Sequence, residues 1–381
     1  MGDFFMNFSE LDRYLDELTS LHGIPFCDVA VMQDGKSIYR HASGYTDIGH
    51  TKPVTGNELM WLYSSSKVIT CFAAMRLVGE GKLGLNDPVS KYIPSFANLT
   101  VQQPDGSVRP AQNTMTVEHL FTMTGGLSYN FLSPLYDEAR EKQYGTVRFV
   151  SEFAKEPLGF EPGTDYRYSL CHDVLAAVVE VISGMRFADY VKTYFFDPLG
   201  IVNMGFHPTE EQKKLFAGAF QYNSGTLDHT AIPCENKYDF NPNYDSGGAG
   251  LFAPVGEYVK IISAAACGGK TPDGYRIFDE KCVPLMQVNR LCPRALNHFV
   301  TYRFHGYGWG LCGRVHTNPA VSDSLSPAGE FGWDGAQATY AMVDPQNRLA
   351  FFFGTQMSGG TFLYAVGHQK VRNLIYKGLG Q

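Results

Sequence analysis

Near the start of the chain, the apolar positions in SELDRYLDEL recur at helical spacing among acidic residues, which predicts an acidic amphipathic helix. The pattern then changes period. CDVAVMQDG and KSIYRHASG read as two strands joined at Asp34-Gly35, a turn dipeptide between β-forming residues, and predict an early hairpin. From about residue 64 to 255 the pattern is mainly helical. Connectors with Pro and Gly, such as GLNDPVSKYIP and FEPGTDY, separate apolar stretches such as DVLAAVVEVISG, which should end near Gly184. A helix around EYVKIISAAACGG follows. Strand signals return in YGWGLCGRV, ATYAMVD and LAFFFGTQM, the last two joined by the turn Asp344-Pro345-Gln346-Asn347, and FLYAVGHQKVRNLIYKGL reads as a closing helix.

Strands at both ends with helices between them predict one antiparallel sheet built from residues 1–63 and 256–381, flanked by terminal helices. Residues 64–255 would form a mainly helical second lobe, with the chemistry in the cleft between. TVQQPDGSVRPAQNT, around residues 100–114, reads as a polar surface loop.

Composition narrows the function. The chain has 381 residues, 44% of them hydrophobic and 14% aromatic, enough to bury a large core. Its formal charge of -7, with no clustered Lys or Arg, argues against nucleic acid as a partner. The N-terminus has no basic start or secretory apolar stretch, and no apolar run approaches a membrane span, so a cytoplasmic protein without membrane contact is expected. The eight cysteines are scattered without CxxC pairs and are expected as buried, reduced thiols; the eleven histidines form no HExxH pair. Neither a metal nor a cofactor is expected.

Three segments carry candidate chemistry. Ser64-Ser65-Ser66-Lys67 opens VITCFAAMRLVGEG, apolar nearly all round and therefore expected as a buried central helix. With Ser64 in the first turn, Lys67 shares its face, and the helix N-terminus favours negative charge there. The competing reading is a serine-capped helix with a solvated lysine. Tyr168-Ser169 follows a Pro/Gly loop ahead of a helix; a phenol beside a lysine ammonium is favoured as phenolate and can act as a general base. Tyr166 is the rival candidate, packing is the alternative role for either ring, and His172 is expected to be an ordinary first-turn residue. Phe331-Gly332-Trp333-Asp334-Gly335-Ala336 lies before a strand, where its glycines let the backbone run close to a ligand; otherwise it is an aromatic turn. Gly308-Trp309-Gly310-Leu311-Cys312-Gly313 has the GxGxxG spacing, but the residues after it cannot open a helix, which rejects dinucleotide binding.

In order and spacing these pieces resemble the class C β-lactamase-like family, which includes family VIII carboxylesterases, penicillin-binding DD-peptidases and related acyl transferases. The resemblance spans nearly the whole chain, through SSSKVITCFAAMRLVGEGKLGLNDPVSKYIP, VEHLFTMTGGLSY, FEPGTDYRYSLCHDVLAAVVEVISG, FFDPLGI, SGGAGLFAP and FGWDGAQATYAMVDP. It implies the family's α/β (α+β) fold, an antiparallel sheet flanked by helices plus a mainly helical lobe. It also implies that Ser64 is the nucleophile, Lys67 the motif lysine and Tyr168 the tyrosine base. Trp333-Asp334-Gly335 is similar to the third motif, Lys-Thr-Gly in β-lactamases and often Trp-Gly-Gly in esterases. The oxyanion hole would be the N–H groups of Ser64 and Ala336.

Two departures from the family pattern bear on substrate, and a third is structural. Leu170 stands where the β-lactamase Tyr-x-Asn motif has its amide, and Trp333 where the third motif has its cation, so both substrate-facing positions favour a neutral ester over a β-lactam or peptide. Met123-Thr124-Gly125-Gly126 replaces the usual His-Thr-Ser-Gly loop. The expected activity is a serine carboxylesterase acting on small acyl esters. A β-lactamase, DD-peptidase or acyl transferase is the enzymatic alternative, and a catalytically silent ligand-binding relative the non-enzymatic one. The sequence leaves the oligomeric state and the choice of base between Lys67 and Tyr168 open.

Overall fold

The computed structural model describes residues 6–300 and 304–380. Its main sheet has seven antiparallel strands in the order Lys36–Gly44, Phe26–Gln33, Leu349–Gly354, Tyr340–Asp344, Phe331–Gly332, Gly313–His316 and Tyr307–Gly310. The predicted N-terminal hairpin and the assembly of one sheet from both ends of the chain are therefore present. Val29 lies opposite Phe353, and Phe353 opposite Tyr340, so Leu349–Gly354 sits between strands from the two ends.

That strand is apolar at consecutive positions because both faces of the sheet are covered. Phe352 stacks at 4.1 Å on Tyr258 of the helix Val255–Ala266, whereas Phe353 meets His368 of the C-terminal helix at 5.4 Å. The N-terminal helix Ser9–Leu21 buries Leu11, Tyr14, Leu15 and Leu18, one helical face, against the same side.

Two buried helices carry the middle of the chain. Ser66–Gly79 is buried at every position from Ser66 to Met75, as its all-round apolar pattern predicts, and packs against Cys171–Ser183, which stops before Gly184. Between residues 64 and 255 the structure also places strands that the pattern did not reveal. Ala219–Asn223 and Asp228–Ile232 pair as a hairpin joined by Met357–Ser358, and Met60–Trp61 pairs with Phe252–Ala253. These strands are too short to show a period against helical surroundings.

Other expectations are corrected. YGWGLCGRV is not one strand but a tight hairpin, Tyr307–Gly310 and Gly313–His316, which is the structural use of its glycines. The polar segment 100–114 holds a small ladder, Thr100–Gln102 with Val108–Pro110. Of the eight cysteines, all free, Cys234 is exposed and Cys267 and Cys292 are only half-buried. Among the described residues no helix is long and apolar enough to cross a membrane.

Candidate active site

A short turn, Tyr63–Ser65, precedes the central helix, so Ser64 stands one step ahead of the α-helical register rather than within its first turn. Tyr63 adopts a left-handed φ of 46°, a costly conformation for a bulky side chain, and its hydroxyl donates to the Glu235 carbonyl at 2.9 Å. This bend turns the next side chain outward. Ser64 is half-buried and reachable, whereas Ser65 and Ser66 are fully buried and committed elsewhere. Ser65 Oγ lies 2.8 Å from Thr339 Oγ1, and Ser66 Oγ accepts from Leu251 N at 3.0 Å.

Lys67 is 1% exposed, and its Nζ reaches Ser64 Oγ at 3.1 Å, Tyr129 OH at 3.0 Å and the Gly248 carbonyl at 2.6 Å. The solvated-lysine reading is thereby excluded. Burial pushes the Lys67 amine down to about 7, partly opposed by the negative charge of Asp173. Asp173, itself fully buried, accepts from Tyr244 OH and Ser246 Oγ, each at 2.6 Å, and from Gly248 N at 3.3 Å. Only a glycine fits at residue 248, since a Cβ there would stand 2.4 Å from Asp173 Oδ2.

Tyr168 lies on the other side of the lysine, with Lys67 Nζ 4.6 Å from its ring centroid. Its hydroxyl is hydrogen-bonded to Ser64 and receives the indole N–H of Trp333 at 2.8 Å. The expectation of a phenolate is not met. Desolvation pushes the Tyr168 phenol up, while the bonds from Ser64 and Trp333 only partly offset it. Tyr166, the rival, packs its ring on Phe299 and Trp309 at 5.3 and 5.4 Å. His172 is fully buried in the first turn of its helix, 3.2 Å from Cys71 Sγ.

The third segment arrives from the sheet. Trp333 is buried among Tyr168, Trp309 and Phe304, and Asp334 pairs with the buried Arg314 at 3.2 Å. Gly335 touches the chain just before Ser64: a Cβ there would stand 2.3 Å from Leu62 O. That contact brings the exposed Ala336 into one cleft with Ser64, about 450 Å³ in volume and lined also by residues 235–238 and Gln337. The Ala336 N–H has no hydrogen-bond partner among the described residues. Leu170 is 1% exposed, at the start of Cys171–Ser183, and belongs to the core rather than to this cleft. Met123-Thr124-Gly125-Gly126 braces the tyrosine segment, with Met123 O accepting from Arg167 N at 3.0 Å and Thr124 O from Gly163 N at 2.8 Å.

The structure thus gathers Ser64, Lys67, Tyr168, Trp333, Gly335 and Ala336, and leaves Tyr166, His172 and Leu170 outside. Sequence reasoning missed Tyr129, Asp173 and Gly248. Each stands in a stretch that carried the family resemblance, but only the folded chain shows that they converge on one amine. No group of three or more His, Cys, Asp or Glu side chains suited to a metal occurs among the described residues.

The family model described as Beta-lactamase matches residues 11–372. The chain is 29% identical to Protein Rv1367c of Mycobacterium tuberculosis, over 85% of this chain and 83% of that one. It is 27% identical to Esterase EstB of Burkholderia gladioli, over 88% and 87% respectively. Its fold superposes on the solved structure of EstCE1, a hydrolase with promiscuous acyltransferase activity, with a TM-score of 0.79 at 24% identity, covering 97% of this chain and 98% of that one. With this match along nearly its whole length, the chain belongs to the Beta-lactamase family of serine hydrolases, whose members include esterases, D-alanyl-D-alanine carboxypeptidase-like proteins and acyltransferases.

Proposed function

We propose that the protein is a carboxylesterase that cleaves small acyl esters through a covalent acyl-Ser64 intermediate. The observation that carries this reading is the position of Ser64, the accessible member of its serine run, 3.1 Å from an amine that burial holds near neutrality. In its neutral form Lys67 takes the Ser64 proton as Oγ attacks the carbonyl carbon. The N–H groups of Ser64 and Ala336 hold the oxyanion, and Tyr168 passes a proton to the departing alkoxide. Water, activated by the same pair, then releases the acid and restores the serine. No cofactor enters these steps. The cleft draws Ser64 and residues 235–238 from the 64–255 stretch, and residues 336–337 and 358 from the C-terminal stretch, which supports a two-lobe reading with chemistry between.

A β-lactamase or DD-peptidase is the weaker reading. Trp333 stands where a cation would meet a β-lactam or peptide carboxylate, and it spends its N–H on Tyr168. An unmet polar group costs roughly 1–3 kcal/mol, so that one missing partner favours esters over β-lactams by about fivefold to a hundredfold. The test is kcat/KM for p-nitrophenyl acetate or butyrate against nitrocefin, with Ser64→Ala as the blank; efficient nitrocefin turnover with weak ester cleavage would reverse the assignment. Transfer to an added alcohol, read as a new ester, tests the acyltransferase variant, a reading supported by the acyltransferase calJ of Penicillium decumbens among its relatives. A non-catalytic binder has no use for the buried amine.

A further inference from the structure

The cleft that holds Ser64 carries a second lysine, which the reaction just described does not use. Lys237 lines the same cleft as Ser64 and Ala336. It is exposed, and its Nζ sits 3.7 Å from the ring centroid of Phe131 and 5.6 Å from that of Tyr238. Among the described residues it forms no ion pair, although Glu235 lines the same cleft.

Its position is built rather than incidental. Tyr238 N donates to Asn236 Oδ1 at 3.0 Å, and Asn236 Nδ2 donates to Ala249 O at 2.8 Å, while the Tyr63 hydroxyl holds Glu235 O. The segment is therefore pinned to the residue that precedes Ser64. Phe131 in turn stacks on Tyr129 at 5.5 Å, nearly parallel, and both rings meet Tyr238 edge-on at 5.5 and 6.0 Å. Tyr129 is the ring whose hydroxyl bonds Lys67. One aromatic wall thus runs from the buried amine at Ser64 to the unpaired ammonium at the mouth.

We propose that Lys237 binds a carboxylate carried by the substrate, so that the preferred substrates are esters with an acid group beyond the scissile bond. This rests on the reading that Ser64 is acylated, and names the substrate class of that site. A cation held over rings, partly desolvated and without a counter-ion, gains more from an anionic ligand than a freely solvated lysine does. The desolvation also lowers the Lys237 ammonium's affinity for its proton, a cost that an incoming carboxylate offsets. The missing cation of the third motif does not oppose this, because Lys237 belongs to a different segment and meets a different part of the ligand.

Two acid placements serve as probes: mono-p-nitrophenyl glutarate, with the acid on the acyl side, and 4-carboxyphenyl butyrate, with the acid on the leaving side, each compared with its uncharged analogue. For at least one of them, the acidic-to-neutral ratio of kcat/KM should fall about tenfold in Lys237→Gln, mainly through KM, and should be largely kept in Lys237→Arg. The probe that responds identifies the side. Equilibrium binding of the same probes to Ser64→Ala and to Ser64→Ala/Lys237→Gln needs no turnover. Tighter binding of an acidic probe that is lost in the double variant, without any hydrolysis by the wild type, would uphold Lys237 and reject the esterase reading. An unchanged ratio for both probes, or an equal loss for acidic and neutral esters, would overturn the role of Lys237.

Discussion

Asp173 and Lys67 meet across a single residue: Asp173 accepts the N–H of Gly248, and Lys67 donates to the carbonyl of the same residue at 2.6 Å. The carboxylate therefore both fixes the acceptor that orients the amine and supplies the negative charge that keeps its proton affinity from falling further. Asp173→Asn removes that charge, while its carbonyl oxygen can still accept from the three donors that all meet Oδ1. It should lower kcat roughly tenfold to a hundredfold and move the acid limb of the pH–rate profile to lower pH. A profile of unchanged position, with only reduced protein yield, would show a purely structural role.

The wild-type profile has a definite sign. In the proposed mechanism Lys67 must be neutral to accept the Ser64 proton, and its amine is held at about 7. Hence kcat/KM should be flat above that value and fall about tenfold per pH unit below it. Stability follows the same linkage. Between about 7 and the ordinary lysine range the unfolded chain binds the proton that the folded chain has released, so this group's contribution to stability rises with pH across that window. Chemical denaturation at several pH values, comparing wild type with Lys67→Met, isolates it.

Ser64→Ala should lower ester hydrolysis about a thousandfold or more with the fold retained. Ser65→Ala and Ser66→Ala should instead act on stability, because those hydroxyls are buried on Thr339 and Leu251. Fluorophosphonate labelling followed by mass mapping reads the difference, and a label on Ser65 or Ser66 would displace the nucleophile.

Tyr168→Phe should cost about a hundredfold in kcat or more, since it removes the hydroxyl shared by Ser64 and Trp333. Tyr166→Phe keeps the ring that packs on Phe299 and Trp309 and should leave kcat nearly unchanged. Steady-state kinetics on the pair decide it, and a larger loss for Tyr166→Phe would shift the tyrosine assignment by two residues.

The long elements were legible because their periods are long. LAFFFG announces a strand covered on both faces, and VITCFAAM a helix buried all round, each visible without any tertiary information. The pair Ser64 and Lys67 was legible because they stand three residues apart at a helix start, although the contact is made from the short turn Tyr63–Ser65 that leads into the helix. Tyr129 was not, because 62 residues separate it from Lys67 and its place at the end of VEHLFTMTGGLSY does not show which amine it meets. The protonation states were illegible for a related reason. Charge proximity alone predicts a phenolate, but the degree of desolvation, known only from the fold, outweighs it and places the neutral form on the phenol and the low proton affinity on the amine.

The pairing of Val29 with Phe353 has a consequence for how the molecule is made. A ribosome releases the hairpin Phe26–Gly44 early, with its apolar inner strand lacking the neighbour that will cover its edge. That neighbour is Leu349–Gly354, which emerges only after the whole segment from Ser64 to Ala336 has been synthesised. A loop of this length closes slowly, and the waiting edge is a ready template for pairing with other nascent chains. The step most exposed to aggregation is therefore the capture of a late strand by an early one, so slower elongation before residue 349 should prolong the vulnerable interval, and early chaperone binding at residues 26–33 should shorten its effect.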